Sequence, residues 1–591
     1  MPQSIYINKI KLFEADLKKV KKQLFASSML RLTVFLLMAF GVYLLWGQLQ
    51  WILIELIVGF ALFLSLVSRH VGLQQKRNRL EALIHINQTE VEVLNGNYAH
   101  LPDGETYQNP QHEFSQDIDL FGKKSFFQYL NRSSLLEGEL RLVEMLTENS
   151  IDDIERKQQA IKDIGEKIDF RQDFSAYAKL SRTEEDTSPK KNLFELQTHE
   201  FFTPKMAKGL SWVFSVISVG LITAYFTDFI PGMWVLLWLF VGMIISGIYI
   251  KRVNLLSDKV SKMQKVFRQY HLLIELLENT TFTSELLLEK QKQIVTEDKI
   301  ASQVLKDFSK AIDALDQRGN LLFGFFGNGF LLWDLRQSAR LEKWIKNHAE
   351  QAEVWFEVIA EVDAFISLGN FAFNHPNYTY PTITDNQTVI DAKDAVHPLI
   401  PEDEAITNDI KIDKEEFFII TGANMAGKST FLRTVSIQIL MSNLGLPVRA
   451  SFCEYRPIKL ITSMRTVDSL AEESSYFYAE LSRLKFIIDK LKTEEYFIVL
   501  DEILKGTNSK DKALGSKKFL EKLVGSHSTG IIATHDLSLC EVAEDLPQVK
   551  NYYFDAQIID DELYFDYKFK TGICQNMNAS FLLRKMEIVD E

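Results

Sequence analysis

Four apolar runs, arranged as two closely spaced pairs, limit what this chain can fold into more than any other feature. Residues 32–68 contain no basic residue and one acid, and a polar break at residues 47–50 divides them. Residues 209–250 repeat the pattern around a break at 227–232. Each run approaches the ~20 apolar residues with which a helix crosses a bilayer. We therefore predict two transmembrane helical hairpins, residues 31–69 and 209–250, over the alternative of buried hairpins in a soluble protein.

The charges around the hairpins predict their orientation. Lysines and arginines lie at residues 18–31, 69–79, 205–208 and 251–252, whereas the turns inside the two pairs carry none. Positive charge marks the cytoplasmic side of a membrane, so both hairpins should enter from the cytoplasm and return. We expect a multi-pass protein of the inner (cytoplasmic) membrane whose remaining parts are cytoplasmic. The basic residues of segment 1–30 then suit anionic lipid better than nucleic acid.

The overall composition excludes several other classes of protein. Hydrophobic residues make up 46% and charged residues 25% of the 591 positions, which is ordinary for a globular chain. A net charge of −13 provides no general attraction for nucleic acid, so a phosphate-binding surface would have to be local. Cys453, Cys540 and Cys574 show no paired spacing, which favours a reducing compartment and argues against a zinc site.

Outside the hairpins, the predicted secondary structure changes once along the chain, from all-helical to alternating strands and helices. Residues 70–205 and 253–370 follow helical periodicity, and short β-rich runs alternate with helices from about residue 382. A shorter apolar stretch, residues 321–333, is too short to span a bilayer and is predicted to be a core helix. The predicted parts are a basic segment 1–30, hairpin 31–69, a helical region 70–208, hairpin 209–250, a second helical region 251–390 and an α/β domain 391–591.

A phosphate-binding motif opens the α/β domain. The apolar run at residues 417–420 leads into TGANMAGKST, in which Gly422 and Gly427-Lys428-Ser429 have the spacing of a P-loop. The glycines let backbone N–H groups surround phosphate oxygens, and the following helix directs its N-terminus at the same anion. In this motif Lys428 reaches the β- and γ-phosphates, and the Ser429 hydroxyl is a ligand of Mg²⁺. The sequence therefore predicts binding of ATP with Mg²⁺.

Two further predicted strands end in side chains suited to ATP hydrolysis. Residues 496–500 lead into Asp501 and Glu502, and residues 530–534 lead into His535. Asp501 would hold Mg²⁺, Glu502 would orient and polarise the attacking water, and His535 would sense the γ-phosphate. Parallel strands place such ends in one crevice, where open α/β sheets bind their ligands.

These motifs occur in the order found in a known family. TGANMAGKST, ESSYFYAEL, LDEILKGTNSKD and ATH resemble the MutS family of ABC-type ATPases. Upstream, DLFGKKSFFQYLNRSSLLEGELRLVEML looks like the start of the MutS core domain, so the resemblance covers about residues 110–590. It implies a helical core and lever domain, here with two transmembrane hairpins, followed by a P-loop ATPase domain.

The resemblance also implies roles for particular residues. Those expected to bind ATP are Gly422, Ala423, Asn424, Met425, Ala426, Gly427, Lys428, Ser429, Thr430 and Tyr567. Ser475 matches the signature serine that reaches the γ-phosphate bound by the opposite subunit, which implies a homodimer. Glu502 and His535 match the catalytic positions, and Ser429 and Asp501 the metal ligands.

Departures from the family leave two functions open. Leu504-Lys505 replaces a Gly-Arg pair after Glu502. The first hairpin stands where mismatch-reading members carry a recognition domain, and the second stands about where they insert a DNA clamp. The family implies binding of mismatched DNA and DNA mismatch repair, here at a membrane. The alternative is an ATP-driven conformational switch at the membrane that no longer binds DNA, in which the levers move the hairpins.

Overall fold

A computed structural model describes residues 2–180, 189–204, 207–295, 300–423, 425–465, 476–505, 507–559 and 562–574. The first two thirds of the chain are mostly helical, and the last third is an α/β domain. The helices of the first part are α1 Pro2–Leu44, α2 Leu49–Leu94, α3 Phe126–Leu130, α4 Leu136–Thr147, α5 Ile154–Glu166, α6 Ile168–Leu180, α7 Pro189–Gln197, α8 Ala207–Phe226, α9 Gly232–Glu278, α10 Glu285–Gln293, α11 Ala301–Asp316, α12 Leu321–Leu331 and α13 Trp333–Asn374.

Both predicted hairpins are helical pairs. Helices α1 and α2 pack along each other, and α8 is joined to α9 by a short turn. By length and composition these four helices could cross a membrane. Their apolar side chains are largely exposed, including Phe35, Ile57 and Trp234, so the protein itself leaves this surface uncovered. Helices α1, α2 and α9 also continue well past the apolar runs, by up to 30 residues at α1.

The extensions join the helical core. The stripe at Leu256, Val260, Met263, Phe267 and Tyr270 on α9 is fully buried, as its periodicity predicts. It packs against α11 and against α13, the 42-residue helix that leads into the α/β domain. Helix α13 also contacts α4 and α5, which makes it the central element of the core.

The prediction of a core helix at residues 321–333 is only half right. Residues 321–331 are helical, but Leu321 and Leu322 are 89% and 72% exposed, and Phe326 is 51% exposed. Helix α12 packs on α8 and α9 instead of entering the soluble core. The length of an apolar helix does not predict whether it packs in the soluble core or against α8 and α9, because a short apolar helix can do either.

The described residues of the α/β domain form two larger sheets and a two-stranded ribbon. Its strands are β1 Thr382–Ile383, β2 Thr388–Ala395, β3 Asn408–Asp413, β4 Phe417–Gly422, β5 Phe452–Tyr455, β6 Lys459–Ser463, β7 Tyr496–Asp501, β8 Thr529–Ala533, β9 Val549–Phe554, β10 Gln557–Ile559, β11 Glu562–Tyr564 and β12 Phe569–Thr571. The larger sheet has the order β12-β9-β4-β8-β7-β6 and is parallel apart from β12. The smaller has the order β1-β5-β2-β3, and β10 pairs with β11 as a separate ribbon.

The larger sheet places the three predicted strand ends side by side. Strands β4, β8 and β7 are adjacent and parallel, with Ile420 beside Ala533 and Ala533 beside Asp501. Their residues are almost entirely buried, because helices α14 Lys428–Asn443, α15 Tyr476–Lys490, α16 Ser509–Gly525 and α17 Val542–Asp545 accompany the strands. Continuous apolar strands of this kind are typical of a covered parallel sheet.

Candidate nucleotide site

The loop between β4 and α14 is shaped by two glycines. Gly422 has φ 148°, and a Cβ there would lie 2.6 Å from the carbonyl oxygen of Phe554. Gly427 has φ 105° and forms the N-cap of α14. Both conformations are accessible mainly to glycine. The backbone therefore turns sharply and brings the N-terminus of a 16-residue helix to the end of the sheet, where free N–H groups can receive an anion.

Lys428 lies inside this loop. Its ammonium donates to the carbonyl oxygens of Gly422 at 2.8 Å and Ala423 at 2.9 Å, and lies 3.3 Å from Nε2 of His535. Burial lowers the pKa of Lys428, and the charges of Asp501 and Glu502 oppose that shift. A buried ammonium bonded mainly to neutral carbonyls can exchange those bonds for an anionic ligand.

Ser429 and Asp501 contact each other directly. The Ser429 hydroxyl donates to Oδ2 of Asp501 at 2.7 Å. This bond joins the first turn of α14 to the end of β7. Hydroxyl and carboxylate oxygens are the ligand types that Mg²⁺ prefers. The pair therefore has the donor chemistry of a magnesium site.

Glu502 pairs with His535. Oε1 of Glu502 lies 2.8 Å from Nε2 of His535, and the Glu502 backbone N–H donates to the carbonyl oxygen of Ala533 at 2.9 Å. Glu502 has φ 50°, an unfavourable conformation for a residue with a Cβ. The hydrogen bond from His535 is the largest cause that lowers the pKa of Glu502 to about 2. Glu502 is therefore a carboxylate at neutral pH.

Tyr567 lies at the same loop. A Cβ on Gly427 would be 3.1 Å from the Tyr567 ring, and the Tyr567 carbonyl accepts from the Asn408 side chain at 3.0 Å. Tyr567 is 42% exposed, which leaves part of the ring open beside the loop. The structure thus places this aromatic residue next to the predicted phosphate loop, a proximity that the motif spacing does not reveal.

The other predicted loop residues differ in exposure. Ala426 is buried, Ala423 is half-buried, and Thr430 is exposed on the first turn of α14. Met425 has φ 67° and is 79% exposed at the outside of the loop. Asn424 and Ser475 lie outside the residues that the structure describes.

The predicted site residues therefore fall into two groups. The structure brings together the side chains of Lys428, Ser429, Asp501, Glu502 and His535. Tyr567 lies beside Gly427 at the loop, and Met425 is exposed to solvent without a contact to this cluster among the described residues.

One contact of the site was not predicted. The Lys505 ammonium lies 3.7 Å from Oε2 of Glu502, so the residue that departs from the family pattern adds a positive charge beside the predicted catalytic carboxylate. The Lys505 backbone N–H also donates to the buried Glu480 carboxylate at 3.2 Å. In the sequence, the only indication of this contact was that Lys505 follows Glu502 by three residues.

A second unpredicted feature joins the site to the helical core. The Arg465 guanidinium forms a bidentate pair with Asp119 at 2.6 and 2.9 Å, and its backbone N–H donates to Asp117 at 2.8 Å. Arg433 on α14 lies 3.5 Å from the same Asp119 carboxylate. Asp119, at the start of the helical core, therefore contacts both α14, the helix that starts at the loop, and Arg465 after β6.

The fold and the site define an α/β domain with a glycine-shaped loop before a helix and acidic side chains at the end of an adjacent strand. Residues 418–586 match the family model for MutS domain V. The chain is 29% identical over 260 residues to the DNA mismatch repair protein MutS of Staphylococcus haemolyticus (strain JCSC1435), and 27% identical over 268 residues to that of Staphylococcus aureus (strain JH9). By these matches the α/β domain is similar to the ATPase-bearing domain V of MutS proteins over residues 418–586.

The matches cover part of each protein. They span 43% and 44% of this chain, and 29% and 30% of the two relatives. The chain thus aligns with under a third of the length of the curated relatives it matches. The apolar helices α1, α2, α8 and α9 precede the residues matched by the family model.

Proposed function

We propose that this protein is a membrane-anchored ATPase of the MutS type. The observation that carries the proposal is the convergence of Lys428, the Ser429–Asp501 pair and the Glu502–His535 pair at the ends of three adjacent strands. Lys428 would exchange its carbonyl partners for the β- and γ-phosphates. Glu502 would accept a hydrogen bond from the attacking water, and His535 would hold Glu502 in place and face the γ-phosphate.

Mg²⁺ would be held by Ser429 and Asp501. The oxygen-only chemistry of this pair and its position beside the first turn of α14 support the assignment. When bound, the ion would neutralise charge on the phosphates. The protein's own contribution is to hold the two oxygens together and to keep the neighbouring Glu502 ionised.

We further propose that the protein works as a homodimer with its ATPase domain in the cytoplasm. The family resemblance supports a site completed by Ser475 of a second copy. The exposed apolar surfaces of α1, α2, α8 and α9 support insertion of both hairpins into the inner membrane. ATP binding would close the dimer, and hydrolysis would release it.

We propose two candidate functions for the ATP hydrolysis: action on mismatched DNA, or a conformational switch at the membrane. The relatives are DNA mismatch repair proteins, which supports binding of mismatched DNA. One structural observation favours the alternative, a conformational switch that does not bind DNA. Helix α13 runs without interruption from its contact with α8 to the start of the α/β domain, so movement at the ATPase can reach the membrane helices directly.

Nucleotide turnover by the purified, detergent-solubilised protein tests the ATPase. We expect Lys428→Ala to lower the ATPase rate roughly 100-fold, as loss of one preorganised charge contact does in other enzymes. Lys411→Ala, which removes an exposed lysine of the same domain, is the matched control.

Glu502→Gln should bind ATP and accumulate as the closed dimer. Wild-type turnover in Lys428→Ala and Glu502→Gln would refute the site.

Duplex binding separates the two uses. If the protein acts on DNA, affinity for mismatched duplex should fall steeply as salt rises, because several phosphate contacts release counterions. If it is a switch, Glu502→Gln with ATP should show no duplex binding even at low salt, while hydrolysis by the wild type persists. Fluorescence anisotropy over a salt series measures both outcomes.

A further inference from the structure

Helix α12 is apolar in sequence, but much of its surface is exposed and not packed in the soluble core. Its 11 residues carry no charge, and Leu321, Leu322, Phe325 and Phe326 are between 40% and 89% exposed. A cluster of large exposed side chains of this kind marks an interaction surface. At 1.5 Å per residue the helix is about 16 Å long, which is half the thickness of a bilayer core.

The contacts of α12 fix its depth relative to the second hairpin. A Cβ on Gly242 of α9 would lie 2.3 Å from the carbonyl oxygen of Gly329, so only glycine permits this approach. Small residues allow such close backbone packing between membrane helices. Gly242 is nine residues before Lys251, where the apolar run ends, and this corresponds to about 14 Å along the helix axis.

Hydrogen bonds link the same end of α12 to α8, and α8 to α9. The Trp238 indole donates to Oγ of Ser218 at 2.8 Å, and the Ser218 hydroxyl lies 2.7 Å from the carbonyl oxygen of Phe330. Ser218 is in the middle of the apolar run of α8. The C-terminal end of α12 is thus level with the middle of both hairpin helices.

The other end of α12 lies near the cytoplasmic boundary. Arg318, just before the helix, donates a hydrogen bond to Asn254 on α9, beyond the basic residues 251–252. After Leu332, whose φ of 47° reverses the chain, α13 returns beside α8, and Leu332 and Leu335 form an apolar cluster with Ala207 and Phe214. The chain therefore descends along α12, turns, and leaves along α13.

We infer that residues 320–335 form a re-entrant element, in which α12 enters the bilayer from the cytoplasmic side and presents its exposed face to lipid acyl chains. The inference rests on the proposed membrane anchoring. Lipid is the occupant because the exposed face of α12 is continuous with the apolar surface of α8 and α9, to which the helix is fastened. The first turn of α13 then leads back to the cytoplasmic boundary, where Asp334 lies 3.6 Å from the Arg318 guanidinium, and the long helix connects it to the ATPase domain.

Spin-label accessibility tests this placement in the full chain. Leu322→Cys and Phe326→Cys are labelled with a nitroxide in vesicles of phosphatidylethanolamine and phosphatidylglycerol. Leu237→Cys on α9 and Val354→Cys on α13, which replace side chains 49% and 41% exposed, serve as membrane and water references. The three native cysteines are buried, and unmutated protein carried through the labelling measures any background.

We expect oxygen, which concentrates in hydrocarbon, to reach positions 322 and 326, and a water-soluble nickel chelate to reach them several-fold less than position 354. Nickel protection should increase from 322 to 326. Nickel access at 322 and 326 with protection at 237 would overturn this inference alone, whereas nickel access at 237 as well would overturn the membrane anchoring. Exclusion of both reagents at 326 would show a protein partner such as a second copy, and would overturn lipid as the occupant.

Discussion

The two hairpins are attached to the rest of the molecule in different ways. The second hairpin is fastened within its apolar region, where Gly242 meets Gly329 and Ser218 meets Phe330. The first hairpin is fastened at its base, by polar side chains on the extensions of α1 and α2. In the most apolar 18-residue stretch of each helix, 11% of the residues of α1 and 6% of those of α2 are buried. The corresponding share is 17% in both α8 and α9.

The base of the first hairpin is a buried polar network. Glu90 on α2 accepts from Arg132 at 2.6 Å and from Asn370 and Asn374 at 2.9 and 2.8 Å. Tyr6 on α1 donates to Asn374 at 2.7 Å. Burial raises the pKa of Glu90, but Arg132 and the two asparagines outweigh it and the net shift is downward. Both hairpins thus reach α13, the second at its start and the first at its end.

The largest effect should follow removal of the charge at the base of the first hairpin. Glu90→Ala leaves the largely buried Arg132 guanidinium without its carboxylate partner, which costs about 3–5 kcal/mol of unfolding free energy. Thermal unfolding in detergent measures the loss. Glu92→Ala, which removes an exposed acid from the same helix, should change little. Equal stability of the two variants would contradict a fastened base.

A smaller effect is expected at the second hairpin. Gly242→Leu forces a side chain into the backbone of α12 and should cost about 1–3 kcal/mol. Gly247→Leu is the matched control, because a Cβ at Gly247 meets no atom within 4 Å. If both variants unfold at the same temperature, α12 does not pack on α9 as described.

Tyr6→Phe probes the contribution of one hydroxyl to the network, chiefly its bond to Asn374. Loss of the hydroxyl removes the bond to Asn374 and should lower stability by about 1 kcal/mol. Tyr43→Phe, on the same helix but 74% exposed, should have no effect. A loss in Tyr6→Phe as large as that in Glu90→Ala would mean that the network acts as one unit, not as separable bonds.

The last prediction concerns α13 between the two hairpins. Burial raises the pKa of Asp363 to about 7, against ~3.9 in an unfolded chain. The folded state therefore binds the proton more tightly, and the contribution of this group to stability is present below about pH 4 and declines as pH rises to about 7. The melting temperature of the wild type minus that of Asp363→Asn should fall from pH 5 to 7 and then level off.

The exposed variant Asp258→Asn is the control for Asp363 and should show no such trend. A difference that stays constant with pH, or that rises, would contradict the protonation assigned to Asp363. Asp363 also accepts backbone hydrogen bonds from Ser134 and Leu135, which oppose the rise of its pKa but do not cancel it.

Much of the site could be predicted because its signals are local. The strand preceding Gly422, the helix following Gly427 and the strands ending at Asp501 and before His535 all depend on neighbouring residues. The handedness of the connections between parallel strands then limits how the strands can be ordered. The proximity of Lys505 to Glu502 and of Tyr567 to Gly427 depends on loop conformations that local preferences do not determine.

The amino-acid sequence by itself determined the four apolar helices, the helical core and the α/β domain with its glycine-shaped loop, because periodicity and glycine spacing act over a few residues. Only the tertiary structure decided the place of α12, the buried base at Glu90 and the link from Asp119 to Arg465. These contacts join residues far apart in the chain, and their partners are selected by packing and by the need to satisfy buried polar groups. A short apolar helix can pack in a soluble core or against long apolar helices with exposed side chains, and α12 packs against two such helices, α8 and α9.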